Sequence, residues 1–196
     1  MNDEVMPLPN EPKKKFDKTT THHSNVAAVI DDAYNAIQEL GGEFREIVDN
    51  APENLQNNDL NTQRGETADA CESLDQPEVR STILSELDVS YTEDNGKVYR
   101  GRQSQSRACK ASNIAGMFRA AADAVSEWAS DNPDDVPEYD DEKSEEEQSE
   151  EYKAWAAKGF DKDDYEVARE EADELADGLN EIADEIEGMS FPGMFG

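Results

Sequence analysis

Carboxylates are the reactive side chains this sequence offers most of, and paired carboxylates are the raw material of general acid–base chemistry. Near the C-terminus Glu170, Glu171, Asp173, Glu174, Asp177, Glu181, Asp184, Glu185 and Glu187 follow one another at helical spacing. Acid–base work needs a carboxyl in a dry pocket with a shifted pKa. A helix face this acidic is expected to be solvated, so none of its pairs stands out. His22-His23 is a second candidate, for metal. Adjacent residues point to different sides of a helix or strand, and no further ligands stand nearby. Asp94-Asn95-Gly96 resembles the start of a calcium loop but lacks its spaced oxygens and closing Glu. Cys71 and Cys109 are too few for a disulfide framework and fit buried thiols in a reducing compartment, with a bridge between them left open. There is no Ser-His-Asp context, P-loop, G-x-G-x-x-G or Cys-x-x-Cys. The chain is therefore expected to bind rather than catalyse, with no catalytic residue, cofactor or metal site.

The charge that makes these carboxylates conspicuous is unevenly spread. The 196 residues carry a formal net charge of −30, yet Lys97 to Ala122 contains no acid at all. That stretch holds Lys97, Arg100, Arg102, Arg107, Lys110 and Arg119. From Asp131 to Glu151 the pattern inverts, with Lys143 the single base among a dozen acids. The basic patch Lys97, Arg100, Arg102, Arg107 and Lys110 mixes with Tyr91 and Tyr99, as nucleic-acid surfaces do. The field of the whole chain repels phosphates, however, so pairing with the acidic linker of the same chain or of a neighbouring subunit is the expected use.

Stepping along the chain locates the elements that must carry these groups. Residues 1–24 are aperiodic, with three prolines and a Lys13-Lys14-Lys15 run, and are expected to form a flexible arm. Behind a cap at Ser24 or Asn25, the residues Val26, Ile30, Ala33, Ile37, Leu40, Phe44 and Ile47 recur in steps of four and three. This predicts a helix to about Asp49, where Asn50-Ala51-Pro52 stops it. A second helical stretch is expected over about 64–74, and a short one after Pro77. The period then shortens to two. Asn95-Gly96 between the two runs predicts a β-hairpin pairing Val89 to Thr92 with Lys97 to Arg100. A third heptad helix carries Ala111, Ile114, Phe118, Ala121, Val125 and Trp128, and stops at Asp131-Asn132-Pro133. The two Asp-Asn stops are either a degenerate duplication or shared helix-end chemistry.

The domain plan is an arm (1–24), a helical domain (25–130) with its hairpin near 89–100, a solvated acidic linker (131–151), and a C-terminal unit (152–196). That unit contains a short helix with Tyr152 and Trp155, a helix capped by Asp161 or Asp163, and an apolar tail with Phe191, Met194 and Phe195. The expected fold is mainly α, an elongated antiparallel bundle of coiled-coil-like helices with a small inserted β-hairpin. A mean hydropathy of −0.93 implies a thin core, which makes a homo-oligomer a natural expectation.

The run Phe44 to Gln56 (FREIVDNAPENLQ), the Glu66 to Ala70 segment (ETADA) and Phe191 to Phe195 (FPGMF) resemble small acidic helical proteins encoded by bacteriophages. The resemblance implies a phage setting, hence a host-cell cytoplasmic location, and carries over no catalytic residue. The hairpin, the basic island and the acidic linker depart from that pattern.

These features converge on expected partners. An acidic surface disfavours nucleic acid and anionic membranes, and favours basic protein surfaces that ordinarily hold nucleic acid. No apolar run reaches the ~20 residues of a membrane span. The expected function is binding and inhibition of a host nucleic-acid-handling or defence protein, by DNA mimicry on the acidic C-terminal face. Phe191, Met194 and Phe195 would serve as terminal anchors. The alternative is a structural or assembly accessory, a scaffold or virion component built on oligomeric helices.

Overall fold

The computed structural model describes residues 16–100, 102–141, 144 and 148–193. Its backbone is three long helices with smaller elements filling the gaps. In chain order the elements are β1 (Thr19–Asn25), α1 (Val26–Asp49), α2 (Asp59–Glu72), α3 (Thr82–Ser85), β2 (Asp88–Asp94), β3 (Lys97–Tyr99), β4 (Arg102–Ser104), α4 (Arg107–Asp131), α5 (Glu150–Lys158) and α6 (Lys162–Gly188). Each helix starts behind a polar residue whose side chain takes up an orphan N–H. Asn25 accepts from Ala28, Asn58 from Asn61, Ser106 from Cys109, Ser149 from Tyr152 and Asp161 from Asp164. The helix ends repeat one device. The Asn50 side chain donates to the Glu46 carbonyl at 2.9 Å, and the Asn132 side chain to the Trp128 carbonyl at 2.7 Å. The echoed Asp-Asn stops thus share a local function, holding a last-turn carbonyl four residues back.

α4 lies between α1 and α6 and runs antiparallel to both. Its first turns meet the end of α1, through Arg107 and Lys110 on Glu43. Arg119 meets Asp184 and Glu187 near the end of α6, while Arg169 near the start of α6 donates to the Ala129 carbonyl. The heptad stripe of α1 (Val26, Ile30, Ala33, Ile37, Leu40, Phe44) is fully buried. Many of the buried positions of α4 and α6 are alanine: Ala115, Ala121, Ala122, Ala168, Ala172, Ala176 and Ala183. Small side chains let helix axes approach, so few large residues are needed to close the core. A composition that looked too polar for a globule is reconciled in this way. The stripes that would otherwise seed a coiled-coil oligomer are buried inside one chain.

α2 crosses α1 at a glycine. A Cβ on Gly41 would sit 2.8 Å from the Cys71 Cβ, whereas one on Gly42 would meet nothing within 4 Å. Alanine raises intrinsic helix stability by about 1 kcal/mol at either position. We expect Gly42→Ala to raise the melting temperature, and Gly41→Ala to lower it, because overpacking costs about 1–3 kcal/mol. Equal shifts for the two variants in thermal unfolding would contradict this packing.

Two sequence expectations are corrected. Residues 88–94 are a strand, but they pair with β1 in full antiparallel register, Thr19 opposite Asp94 through Asn25 opposite Asp88. Residues 97–99 pair instead with 102–104. The Asn95 N–H donates to the Lys18 carbonyl at 2.9 Å, so Asn95-Gly96 is the corner between two ribbons and not the turn of one. Seven paired positions with β1 outweigh the shorter ladder a local hairpin offers. Residues 19–24 therefore belong to the folded unit, while 1–15 lie outside the described residues. Gly96 (φ +77) is required at the corner, since its Cβ would fall 2.2 Å from the Ser104 carbonyl oxygen.

The described part of the acidic linker is likewise not merely solvated. Tyr139 packs at a tilt against Tyr152 with ring centroids 5.2 Å apart, and the buried Gln148 side chain bonds the Asp140 backbone N–H and C=O at 3.0 and 2.7 Å. From Tyr152 the ring contacts continue through Trp155 and Tyr165 to Trp128 and Phe160. Aromatic residues dispersed in sequence thus weld the linker, α5 and the start of α6 to the end of α4.

Candidate interaction surface

The acidic residues of α6 separate into two groups by helix face. Glu170, Asp173, Glu174, Asp177, Glu181, Asp184, Glu185 and Glu187 are exposed. Glu171 is buried at 3 % exposure and accepts the backbone N–H groups of Arg80 at 2.8 Å and Ser81 at 3.0 Å. One helical repeat earlier, Asp164 accepts the Thr82 N–H at 3.0 Å, the Ile83 N–H at 3.2 Å and the Thr82 hydroxyl. Partial burial pushes the Asp164 carboxyl up, but the bonds from Thr82 and its neighbours outweigh it and hold the pKa below the ordinary value. Two α6 carboxylates thus cap α3. The sequence expectation counted Glu171 on the outer face, and the structure corrects it. The spacing Ala168, Glu171, Leu175 (three, then four) is the signal that places it on the buried stripe.

The remaining face is nearly free of cations. Arg119 reaches Asp184 at 2.7 Å and Glu187, holding the Glu187 carboxyl below its usual range. Among the described residues, no base lies within ion-pair distance of Glu170, Asp173, Glu174, Asp177, Glu181 or Glu185. Seven exposed carboxylates fall between Glu170 and Glu185, over about 22 Å at 1.5 Å per residue. That is one per about 3 Å, close to the 3.4 Å phosphate spacing of one DNA strand.

The apolar tail folds back. Phe191 packs on Phe44 with centroids 6.2 Å apart, the Ser190 carbonyl accepts from Thr67 Oγ1 at 2.6 Å, and the Gly193 carbonyl accepts from Arg64 at 3.0 Å. Phe191 is a core-facing clasp here, so it does not project as a free anchor. Met194 and Phe195 lie outside the described residues. The segments around Phe44, Thr67 and Phe191 meet in this one corner.

The basic patch also divides. Glu43 takes Lys110 at 2.5 Å and Arg107 at 3.1 Å, and Arg107 also lies 5.1 Å over the Phe44 ring. Partial burial raises the Glu43 carboxyl, but Lys110 and Arg107 prevail and keep it below the normal range. The answering acid belongs to α1 of the same chain and not to the acidic linker. Lys97, Arg100 and Arg102 are exposed and have no acid partner among the described residues.

Both thiols are free. Cys71 is buried beside Met189, and burial pushes its pKa up to about 11, so it is a packing residue with little thiolate. Cys109 lies against the Asp94 carbonyl at 3.6 Å, and burial raises its pKa too. His22 Nε2 is 2.9 Å from Glu93 and its ring stacks on Tyr91 at 5.0 Å, so it is used within the β1–β2 ribbon. Among the described residues no helix is long and apolar enough to cross a membrane. No family model, curated protein or solved structure matches this chain.

Proposed function

We propose that this chain is an acidic interaction protein that binds a basic, nucleic-acid-holding protein surface through the outer face of α6, in competition with DNA. The observation that carries this is the carboxylate row from Glu170 to Glu185 on an anchored helix, in which Asp184 alone is paired, with Arg119. Rigidity matters, since a disordered acidic tail would lose more entropy on docking than a helix already fixed along α4. Repulsion of phosphates by the chain's net charge supports a protein target over nucleic acid itself. Blocking a host nucleic-acid-handling or defence protein is the role that fits such a face in the bacteriophage setting implied by the resemblance. Activity would then lie in occupancy alone, without catalysis. The assembly-accessory alternative loses its premise in helix stripes, because these are consumed within the chain.

The test uses the immobilised chain and the basic, heparin-binding fraction of a host lysate. Proteins retained at 50 mM salt should be released by duplex DNA, and their affinity should fall about 10- to 100-fold by 200 mM salt. Asp173→Asn, Asp177→Asn and Glu181→Asn together should abolish retention. Retention indifferent to DNA and to salt would overturn the proposal.

A further inference from the structure

The β3–β4 hairpin carries cations that have no acid partner among the described residues. Tyr99 lies opposite Arg102 and Lys97 opposite Ser104, so strand alternation sets Lys97, Tyr99 and Arg102 on one face. Arg100, at φ 49, lies 5.2 Å over the Tyr99 ring. The opposite face is tied down, with Gln103 Nε2 donating to the Asp17 carbonyl at 2.7 Å. The outward face is therefore an aromatic ring among three cations. Tyr99 is 69 % exposed, more than any other large hydrophobic residue among those described. Exposed aromatic and arginine side chains held together in this way are what protein interfaces are enriched in.

We propose that this hairpin docks on the acidic face of α6 of a second copy of the chain. The proposal rests on α6 being a surface for basic partners, as argued above. Its support is complementarity between two surfaces whose charges, Asp184 apart, go unpaired among the described residues. Lys97 and Arg102 are diagonal neighbours across the ribbon, about 7–8 Å apart, with Tyr99 directly opposite Arg102. Asp173, Asp177 and Glu181 recur about every 6 Å along α6. The diagonal Lys97–Arg102 pair and successive carboxylates of α6 are thus close enough in spacing to meet side by side. The helices' apolar stripes are already covered, so this contact does not compete with the core. It is heterologous, leaving one copy's α6 face and the other copy's hairpin free, which builds a ring or an open chain. At 0.15 M salt the Debye length is about 8 Å, so repulsion between two acidic bodies is screened while contact pairs survive.

Sedimentation velocity on the full chain tests this. At 0.15 M salt the wild-type mass should climb above 21.8 kDa with concentration, and return to that value in 1 M salt. Lys97→Ser, Arg100→Ser and Arg102→Ser together should hold it at the monomer, as should Asp173→Asn, Asp177→Asn and Glu181→Asn, with helical circular dichroism unchanged in both. An equimolar mixture of the two variants retains one working interface and should stop at twice the monomer mass. The hairpin variant keeps α6 and should still bind immobilised poly-arginine. A monomeric wild type that binds poly-arginine would reject the docking and leave the α6 reading standing. Self-association of the hairpin variant equal to wild type would also reject it. A monomeric wild type whose hairpin residues bind a dT20 oligonucleotide would assign the hairpin to single-stranded nucleic acid instead.

Discussion

Tyr165→Ala should cost about 3–5 kcal/mol, the range for removing a large buried aromatic side chain. Tyr165 is 1 % exposed, and its ring centroid lies 5.6 Å from Trp128, 5.7 Å from Trp155 and 5.7 Å from Phe160. Its hydroxyl donates to the Pro133 carbonyl at 2.5 Å. One side chain therefore joins α4, α5, α6 and the entry to the acidic linker. At about 2–4 °C per kcal/mol for a chain of this size, the melting temperature should fall by about 10 °C. Tryptophan emission should shift to the red as Trp128 and Trp155 gain water. Tyr165→Phe separates the ring from the hydroxyl and should lose only about 0.5–1.5 kcal/mol. If the alanine variant loses less than the phenylalanine range, the aromatic cluster does not hold this end together.

Glu171→Ala should be the second large effect, about 2–4 kcal/mol, because it strips the acceptor from two backbone N–H groups. Ser81 is 1 % exposed, so its N–H has no easy route to water. Glu170→Ala and Glu174→Ala, its exposed neighbours, should stay within about 0.5 kcal/mol of wild type. Urea unfolding of the three variants distinguishes a structural carboxylate from surface ones. Equal midpoints for all three would mean that Glu171 does not support α3. Glu171→Gln keeps the volume and one acceptor oxygen, and should fall between alanine and wild type. Where partner binding is measured, Glu171→Gln should leave it unchanged, since the α6 face presents other carboxylates.

Much of the helical architecture was legible because it depends on local spacing. The stripe Val26 to Phe44 and the stop at Asn50 are short-range features that fell where the sequence placed them, and the caps at Asn25 and Asp161 are each one of the two residues it offered. The α2 helix begins earlier than expected, at Asp59 behind the Asn58 cap, because Asn61 is a buried polar residue that a search for apolar stripes passes over. The strand at 88–94 was also visible, but its partner was not. β1 is a run of Thr, His and Ser with no hydrophobic alternation, and a polar two-stranded ribbon leaves little mark in sequence.

The sequence by itself determined that the chain is mainly helical, where the long helices start and stop, and that its charge separates into an acid-free stretch and acidic blocks. These follow from residue-to-residue spacing and from composition, which need no knowledge of neighbours in space. Only the tertiary structure decided which charges remain available. It assigned Glu43 to Arg107 and Lys110, Arg119 to the end of α6, Glu171 to α3, and Phe191 to Phe44. Each is a pairing across 64 or more residues, set by how helices pack, and helix periodicity alone does not encode the partner. The exposed α6 carboxylates and the hairpin cations are what remains after those pairings are made.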